Sequence, residues 1–173
     1  MKNLEIKARY AELDLARRAA RSLRARDMGE RQQGDTCFRV PRGRLKLRRI
    51  GGSPHSTLIY YDRPDRAESR YSEYHLALVD DAEEVETLLD AALGTLVKVD
   101  KIRRLFLYGA TRIHLDRVET LGCFVEVETV MQYQTEEEAR AEHELVKQAL
   151  GLDERETVAV SYGDLLQEQS RRP

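Results

Sequence analysis

Apolar residues recur along this chain with two periods. Where they alternate with polar ones, successive side chains fall on opposite faces of a strand. Residues 3–10 set Leu4, Ile6 and Ala8 against Glu5, Lys7 and Arg9, and residues 44–50 set Leu45 and Leu47 against Lys46 and Arg48. Residues 123–131 set Val125, Val127 and Thr129 against Phe124, Glu126 and Glu128. Further strands are predicted over 36–40, 56–63, 70–79, 96–108 and 111–118, the last two joined at Gly109-Ala110. That makes about eight strands, mostly linked by short turns, and predicts antiparallel pairing. The other period is helical. Residues 12–26 place Leu13, Ala16, Ala20 and Leu23 on one face, and residues 81–93 do the same with Val85, Leu88, Leu89 and Ala92 before Gly94. Thr135 and Glu138 form a capping box that opens a helix running to Leu150, and a short helix is predicted over 162–169.

The polar faces of the strands carry unusual chemistry. Glu5, Lys7 and Arg9 share a face, as do Lys46 and Arg48, Lys101 and Arg103, His114 and Asp116, and Glu126 and Glu128. Strand by strand, the plain reading is a sheet with one solvated side. Taken together, the helices need an apolar surface to cover, and about eight strands can close into a barrel that has no free edge. The charged faces would then line the interior, where charges must be paired or hold a ligand. A lumen rich in Lys and Arg suits a polyanion. Carboxylates beside it suit Mg²⁺ or Mn²⁺, hard cations that prefer oxygen ligands and bridge to phosphates.

Composition narrows the alternatives. The 173 residues carry 29 Lys and Arg against 31 Asp and Glu, so there is no basic excess of the kind a nucleic-acid polymer attracts. No apolar run approaches the ~20 residues of a membrane span, and the N-terminal residues lack the apolar stretch of a secretory signal. Cys37 and Cys123 belong to no paired motif. One domain over 1–173, with no membrane and a cytoplasmic location, is the expectation. There is no phosphate loop, no glycine-rich dinucleotide fingerprint and no zinc-ligand spacing; His55, His75, His114 and His143 are scattered. The residues alone lead to a β-barrel that binds polyphosphate.

Six segments in order resemble the CYTH superfamily of triphosphate tunnel enzymes, and within it the class IV adenylyl cyclase-like branch. They are Leu4-Glu5-Ile6-Lys7, residues 43–48, Lys101-Ile102-Arg103, residues 113–118, residues 121–128 and the closing Ser161-Tyr162 with Asp164-Leu165-Leu166. The resemblance implies an α+β fold, a closed eight-stranded antiparallel barrel with helices outside. It implies Mg²⁺ or Mn²⁺ as cofactor and a small-molecule triphosphate as partner, with a homodimer as the oligomer to test. Residue by residue, it implies catalytic roles for Glu5, Lys7 and Glu126. Phosphate binding falls to Lys7, Arg9, Arg39, Lys46, Arg48, Arg63, Lys101 and Arg103, with Arg70 a weaker candidate. Metal binding falls to Glu5, Asp116, Glu126 and Glu128.

The sequence departs from the family's Glu-x-Glu-x-Lys signature at one position, where Asn3 stands for the first glutamate. An amide oxygen can ligate a hard cation but brings no charge, and Glu128 could compensate. The leading expectation is conversion of ATP to cyclic AMP and pyrophosphate. The alternatives are a triphosphatase for inorganic or organic triphosphate, such as thiamine triphosphate, and a triphosphate-binding module without turnover.

Overall fold

A computed structural model describes residues 1–132 and 134–171. The strands are β1 (Lys2–Arg9), β2 (Arg26–Phe38), β3 (Arg44–Ile50), β4 (Ser56–Asp62), β5 (Arg70–Val79), β6 (Thr95–Tyr108), β7 (Thr111–Val118) and β8 (Gly122–Val130). They close into one antiparallel barrel in the order β1-β5-β4-β3-β2-β6-β7-β8. The helices are α1 (Leu13–Ser22), α2 (Ala82–Leu93), α3 (Glu136–Ala149) and α4 (Tyr162–Ser170), with a 3₁₀ turn at Leu152–Glu154.

Alternation along the strands sorts the chemistry. The outward apolar residues Ile6, Ala8, Phe106, Ile113, Leu115, Val125 and Val127 form a buried core with Ala16 and Ala20 of α1 and Val146 of α3. On the other flank, Phe38, Leu47 and Val79 are covered by Val85, Leu89 and Leu93 of α2. A third cluster sits at one end of the barrel. There Val99, Val118 and Phe124 meet Val158 and Tyr162 of the C-terminal segment, with the Phe124 and Tyr162 rings edge-on at 5.0 Å. An edge-on pair of this kind adds roughly 1 kcal/mol beyond the area it buries.

Two elements differ from the pattern-based expectation. β2 begins at Arg26, ten residues before the predicted strand at 36–40. Its first residues, Arg26 to Asp35, are polar apart from Met28 and two glycines, so no alternation marks them. Pairing with β6 and β3 on either side makes them a strand, with an irregularity between Asp27 and Glu30. Conversely, α1 stops at Ser22 instead of continuing to 26. Arg24 takes the left-handed conformation at φ 58°, and the Ala25 amide donates to the Ala20 carbonyl at 3.0 Å. That closes the helix end as a glycine would, at a cost of about 1 kcal/mol for a residue with a side chain.

Candidate active site in the barrel lumen

The inward positions of the strands surround a cavity of about 280 Å³. β1 contributes Asn3, Glu5 and Lys7, and β8 contributes Glu126 and Glu128. The register sets Glu5 opposite Glu128 and Lys7 opposite Glu126, so all four side chains meet on one wall. Asp35 of β2, Lys46 and Arg48 of β3, and Lys101 and Arg103 of β6 form the facing wall, and Arg63 follows β4. Among the described residues, seven cationic side chains and four carboxylates line the cavity, a surplus of three positive charges within a chain whose net charge is −2.

Those charges are latticed. Asp116 is fully buried, and both of its oxygens are engaged. Arg103 donates to it through Nε at 2.6 Å and Nη2 at 2.5 Å, Lys101 Nζ at 3.1 Å and the Tyr162 hydroxyl at 3.0 Å. Arg103 also reaches Glu126 at 2.5 Å, and Lys7 lies 3.1 Å from the other Glu126 oxygen. Asp35 receives two bonds from Arg48 at 2.8 and 2.9 Å and sits 3.0 Å from Lys46. Glu5 is 3.0 Å from Arg63 and 3.5 Å from Arg70. Asp116, Glu126, Asp35 and Glu5 thereby each hold a cation in place before any ligand arrives, which is the preorganisation an anion site needs.

One end of the lumen is closed by the C-terminal segment. Val158 N–H donates to the Lys7 carbonyl at 2.8 Å, Lys7 Nζ donates to the Val160 carbonyl at 3.1 Å, and Arg63 donates to the Ala159 carbonyl at 2.7 Å. Tyr162 then places its ring 4.1 Å from Lys7 Nζ and 4.7 Å from Lys101 Nζ. Ser161 and Asp164 form a second capping box that starts α4 at that spot, and Arg44 ties Asp164 down at 2.8 Å. The other end, beside Arg112 and Leu76, stays open to solvent.

A model of the CYTH domain matches residues 1–162. The chain belongs to the CYTH domain family. No curated protein matches it at significant similarity. Among solved structures, the PH1012 protein of Pyrococcus horikoshii is 24% identical with a TM-score of 0.83, over 94% of this chain and 98% of that one. A candidate adenylate cyclase of Vibrio parahaemolyticus is 21% identical with a TM-score of 0.77, over 95% and 97%. The candidate adenylyl cyclase HpAC1 of Hippeastrum, for which a dominant triphosphatase activity is described, is 14% identical with a TM-score of 0.65, over 100% and 98%. At these identities the likeness is one of fold.

Within this CYTH tunnel, environment sets the protonation of each group. Burial pushes Glu5 up, with Arg63 opposing and Glu128 adding to the rise. Burial also pulls Lys7 down against the pull of Glu126, and it brings Lys101, beside Arg103, down to about 8. For Asp35, burial works upward, yet Arg48 and Lys46 overcome it and hold the carboxyl well below its usual range. Glu126 behaves likewise under Lys7 and Arg103. His114 is pulled down by burial and by Arg103, which keeps its ring neutral.

The family's tunnel enzymes use a divalent metal, and the residues here fit one. Ligand atoms of His114, Glu126 and Glu128 lie within 4.8 Å of one another. Asn3 Oδ1 and His114 Nδ1 are buried with no hydrogen-bond partner among the described residues. Two carboxylates with an orphaned amide oxygen on the adjoining strand are a donor set suited to a hard cation.

The structure brings Glu5, Lys7, Lys46, Arg48, Arg63, Lys101, Arg103, Glu126 and Glu128 to the lumen. Arg9 is not among its lining. It lies at the closed end over the Phe124 ring, paired with Glu156 at 3.4 Å and bonded to the Leu121 carbonyl. Arg39 is exposed and lines a separate pocket behind the α4 start. Asp116 touches the site through Lys101 and Arg103. Sequence reasoning missed Asp35, which lies in the polar run of β2, and Arg112 at the mouth. It also left Tyr162 as part of a motif without a role. Parity within a correctly assigned β2 would have found Asp35.

Proposed function

We propose that this protein is a divalent-metal-dependent enzyme that binds a nucleoside triphosphate in its tunnel and cleaves a phosphoanhydride, with cyclisation of ATP to cyclic AMP and pyrophosphate as the leading form. The observation that carries this reading is the surplus of preorganised cations lining the cavity beside a carboxylate wall. A triphosphate brings about four negative charges, and a lumen sealed at one end makes its complement of fixed, buried cations more effective than in water. Lys46, Arg48, Lys101 and Arg103 would grip the phosphate oxygens from one wall and Lys7 and Arg63 from the other.

Glu126, Glu128 and His114, with Glu5 and Asn3 next to them, would hold the metal. When bound, such an ion neutralises charge that develops on the phosphate oxygens. In the cyclase form the ribose 3′-hydroxyl releases its proton to solvent as its oxygen bonds to the α-phosphorus, the bond from that phosphorus to the α,β-bridging oxygen breaks, and pyrophosphate leaves. Arg103, Lys7 and Lys101 are placed to carry the negative charge of that leaving group. Lys101, brought down to about 8 by burial and Arg103, can exchange a proton near neutral pH.

One observation favours hydrolysis as a second reading. Glu128 and Arg112 lie at the open mouth, where water has access to the carboxylate wall. Water would then bond to the terminal phosphorus as the β,γ bridge breaks. The Hippeastrum neighbour, of the same fold, supports keeping this form in view. Incubation with ATP or tripolyphosphate and Mg²⁺ or Mn²⁺ decides. Cyclic AMP with equimolar pyrophosphate supports cyclisation, and inorganic phosphate without cyclic AMP supports hydrolysis. Tight binding without product would leave only a binding module.

A further inference from the structure

The open mouth of the tunnel is chemically divided. On the β7–β8 side it carries Glu128 and Arg112, while the opposite rim, beyond Lys46 and Arg48 on β3, β4 and β5, is mostly apolar. Ile50, Thr57, Ile59, Tyr74 and Leu76 line the cavity there. Leu78 continues the same face of β5, since the register sets Leu78 opposite Thr57 and Leu76 opposite Ile59. Single exposed leucines are ordinary on a protein surface. Two at consecutive inward positions of one strand, 48% and 78% exposed at the rim of a charged lumen, are a different matter.

The phosphate-gripping residues adjoin this shelf directly. Arg48 is the cross-strand neighbour of Thr57, and Lys46 of Ile59. With strands about 4.8 Å apart, the leucines of β5 lie roughly 10 Å across the sheet from Arg48. That is the reach of a sugar and a base from the phosphates they carry. The shelf offers little to read the edge of such a group. Its side chains supply only the hydroxyls of Thr57 and Tyr74 among the described residues, and the β4 backbone is consumed by pairing with β3 and β5.

Building on the triphosphate reading of the lumen, we infer that the Ile50–Ile59–Leu76–Leu78 shelf receives the flat organic group of the substrate. The ligand class is an aromatic or heterocyclic triphosphate ester in preference to inorganic triphosphate, with little selection among bases. Apolar contact of this size separates ligands by about ten- to a few hundred-fold, whereas a hydrogen-bonding pocket would separate bases by about 10⁴.

The test measures dissociation constants of ATP, GTP and tripolyphosphate with Mn²⁺ for the wild type and for a Leu76→Ser/Leu78→Ser double variant. Both leucines are exposed, so the fold tolerates the change. The wild type is expected to bind ATP at least about ten-fold more tightly than tripolyphosphate, with GTP within about ten-fold of ATP. The double variant is expected to lose most of the preference for ATP over tripolyphosphate. Equal binding of tripolyphosphate and ATP by the wild type would overturn the inference. So would a preference that survives the double substitution, or discrimination between ATP and GTP beyond about 10³-fold. If neither ATP nor tripolyphosphate binds, it is the triphosphate reading of the lumen that fails.

Discussion

Asp116→Asn is the most informative single change in the lumen lattice. It keeps the shape of the side chain and one oxygen acceptor while removing the charge shared by Lys101, Arg103 and Tyr162. Arg103 retains Glu126 at 2.5 Å, but Lys101 loses the carboxylate at 3.1 Å that faces it, in a place where its own side chain is 2% exposed. Removing one partner of a buried pair costs about 3–5 kcal/mol. Lys101 can relieve part of this by releasing its proton, because it already sits at about 8, so about 3 kcal/mol near pH 7 is the expected loss. With a urea m-value near 2 kcal/mol/M, the midpoint followed by circular dichroism should fall by roughly 1.5 M.

The sign of the pH effect follows. The folded Lys101 lies below the unfolded lysine value of 10.5, so the unfolded chain binds more protons and stability rises with pH through that window. Loss of Asp116 lowers Lys101 further and extends the window downward. The gap between variant and wild type should therefore widen as pH falls below about 8 and level off at its smaller value above it. A midpoint equal to that of the wild type, or a gap that does not change between pH 7 and 9, would refute the lattice reasoning.

Glu126→Gln should lower metal-dependent turnover by at least about 100-fold with a native circular dichroism spectrum; a turnover close to wild type would remove Glu126 from the metal site. Arg48→Ala should raise KM for the triphosphate by about ten-fold or more and also destabilise the fold, since buried Asp35 loses its two-bonded cation and keeps only Lys46 to balance its charge; unaltered KM would place the phosphates elsewhere. His143 is 1% exposed between Ser69 and Thr129, and burial pulls it down to about 4. Neutral His143 therefore contributes stability that is present in full above about 6.5 and lost as pH falls toward 4, a swing of about 3 kcal/mol. A His143→Gln variant whose midpoint follows the same pH dependence as the wild type would contradict that assignment. Chelation with EDTA should abolish turnover while Mn²⁺ restores it, and activity persisting in EDTA would exclude the metal.

Much of the architecture was legible because the barrel is built from strands whose two faces differ. Alternation in residues 3–10, 44–50 and 123–131 is a local property, set by the geometry of an extended chain. It identified Glu5, Lys7, Lys46, Arg48, Glu126 and Glu128 as one-faced, and the structure places them all on the lumen. The capping box at Thr135 was equally local, and it is present as expected. β2 was not legible, because residues 26–35 have no apolar face and become a strand only through the hydrogen bonds β6 and β3 offer them. Asp35 was lost with it.

Arg9 shows the other limit. It shares a face with Glu5 and Lys7, but strand parity does not say where along the barrel axis the closing segment lies. Val158, Val160 and Tyr162 close the end where Arg9 sits, so its charge goes to Glu156 and not to the cavity. Residue types and their spacing thus determined by themselves that one face of each strand is charged and the other apolar, since that depends on neighbours two positions away. Which carboxylate neutralises which cation, which end is sealed, and where the apolar rim meets the basic wall were decided only by tertiary structure. Those contacts join residues on different strands, some of them more than a hundred positions apart, as Lys7 meets Glu126, and only closure of the barrel sets the register that brings such pairs together.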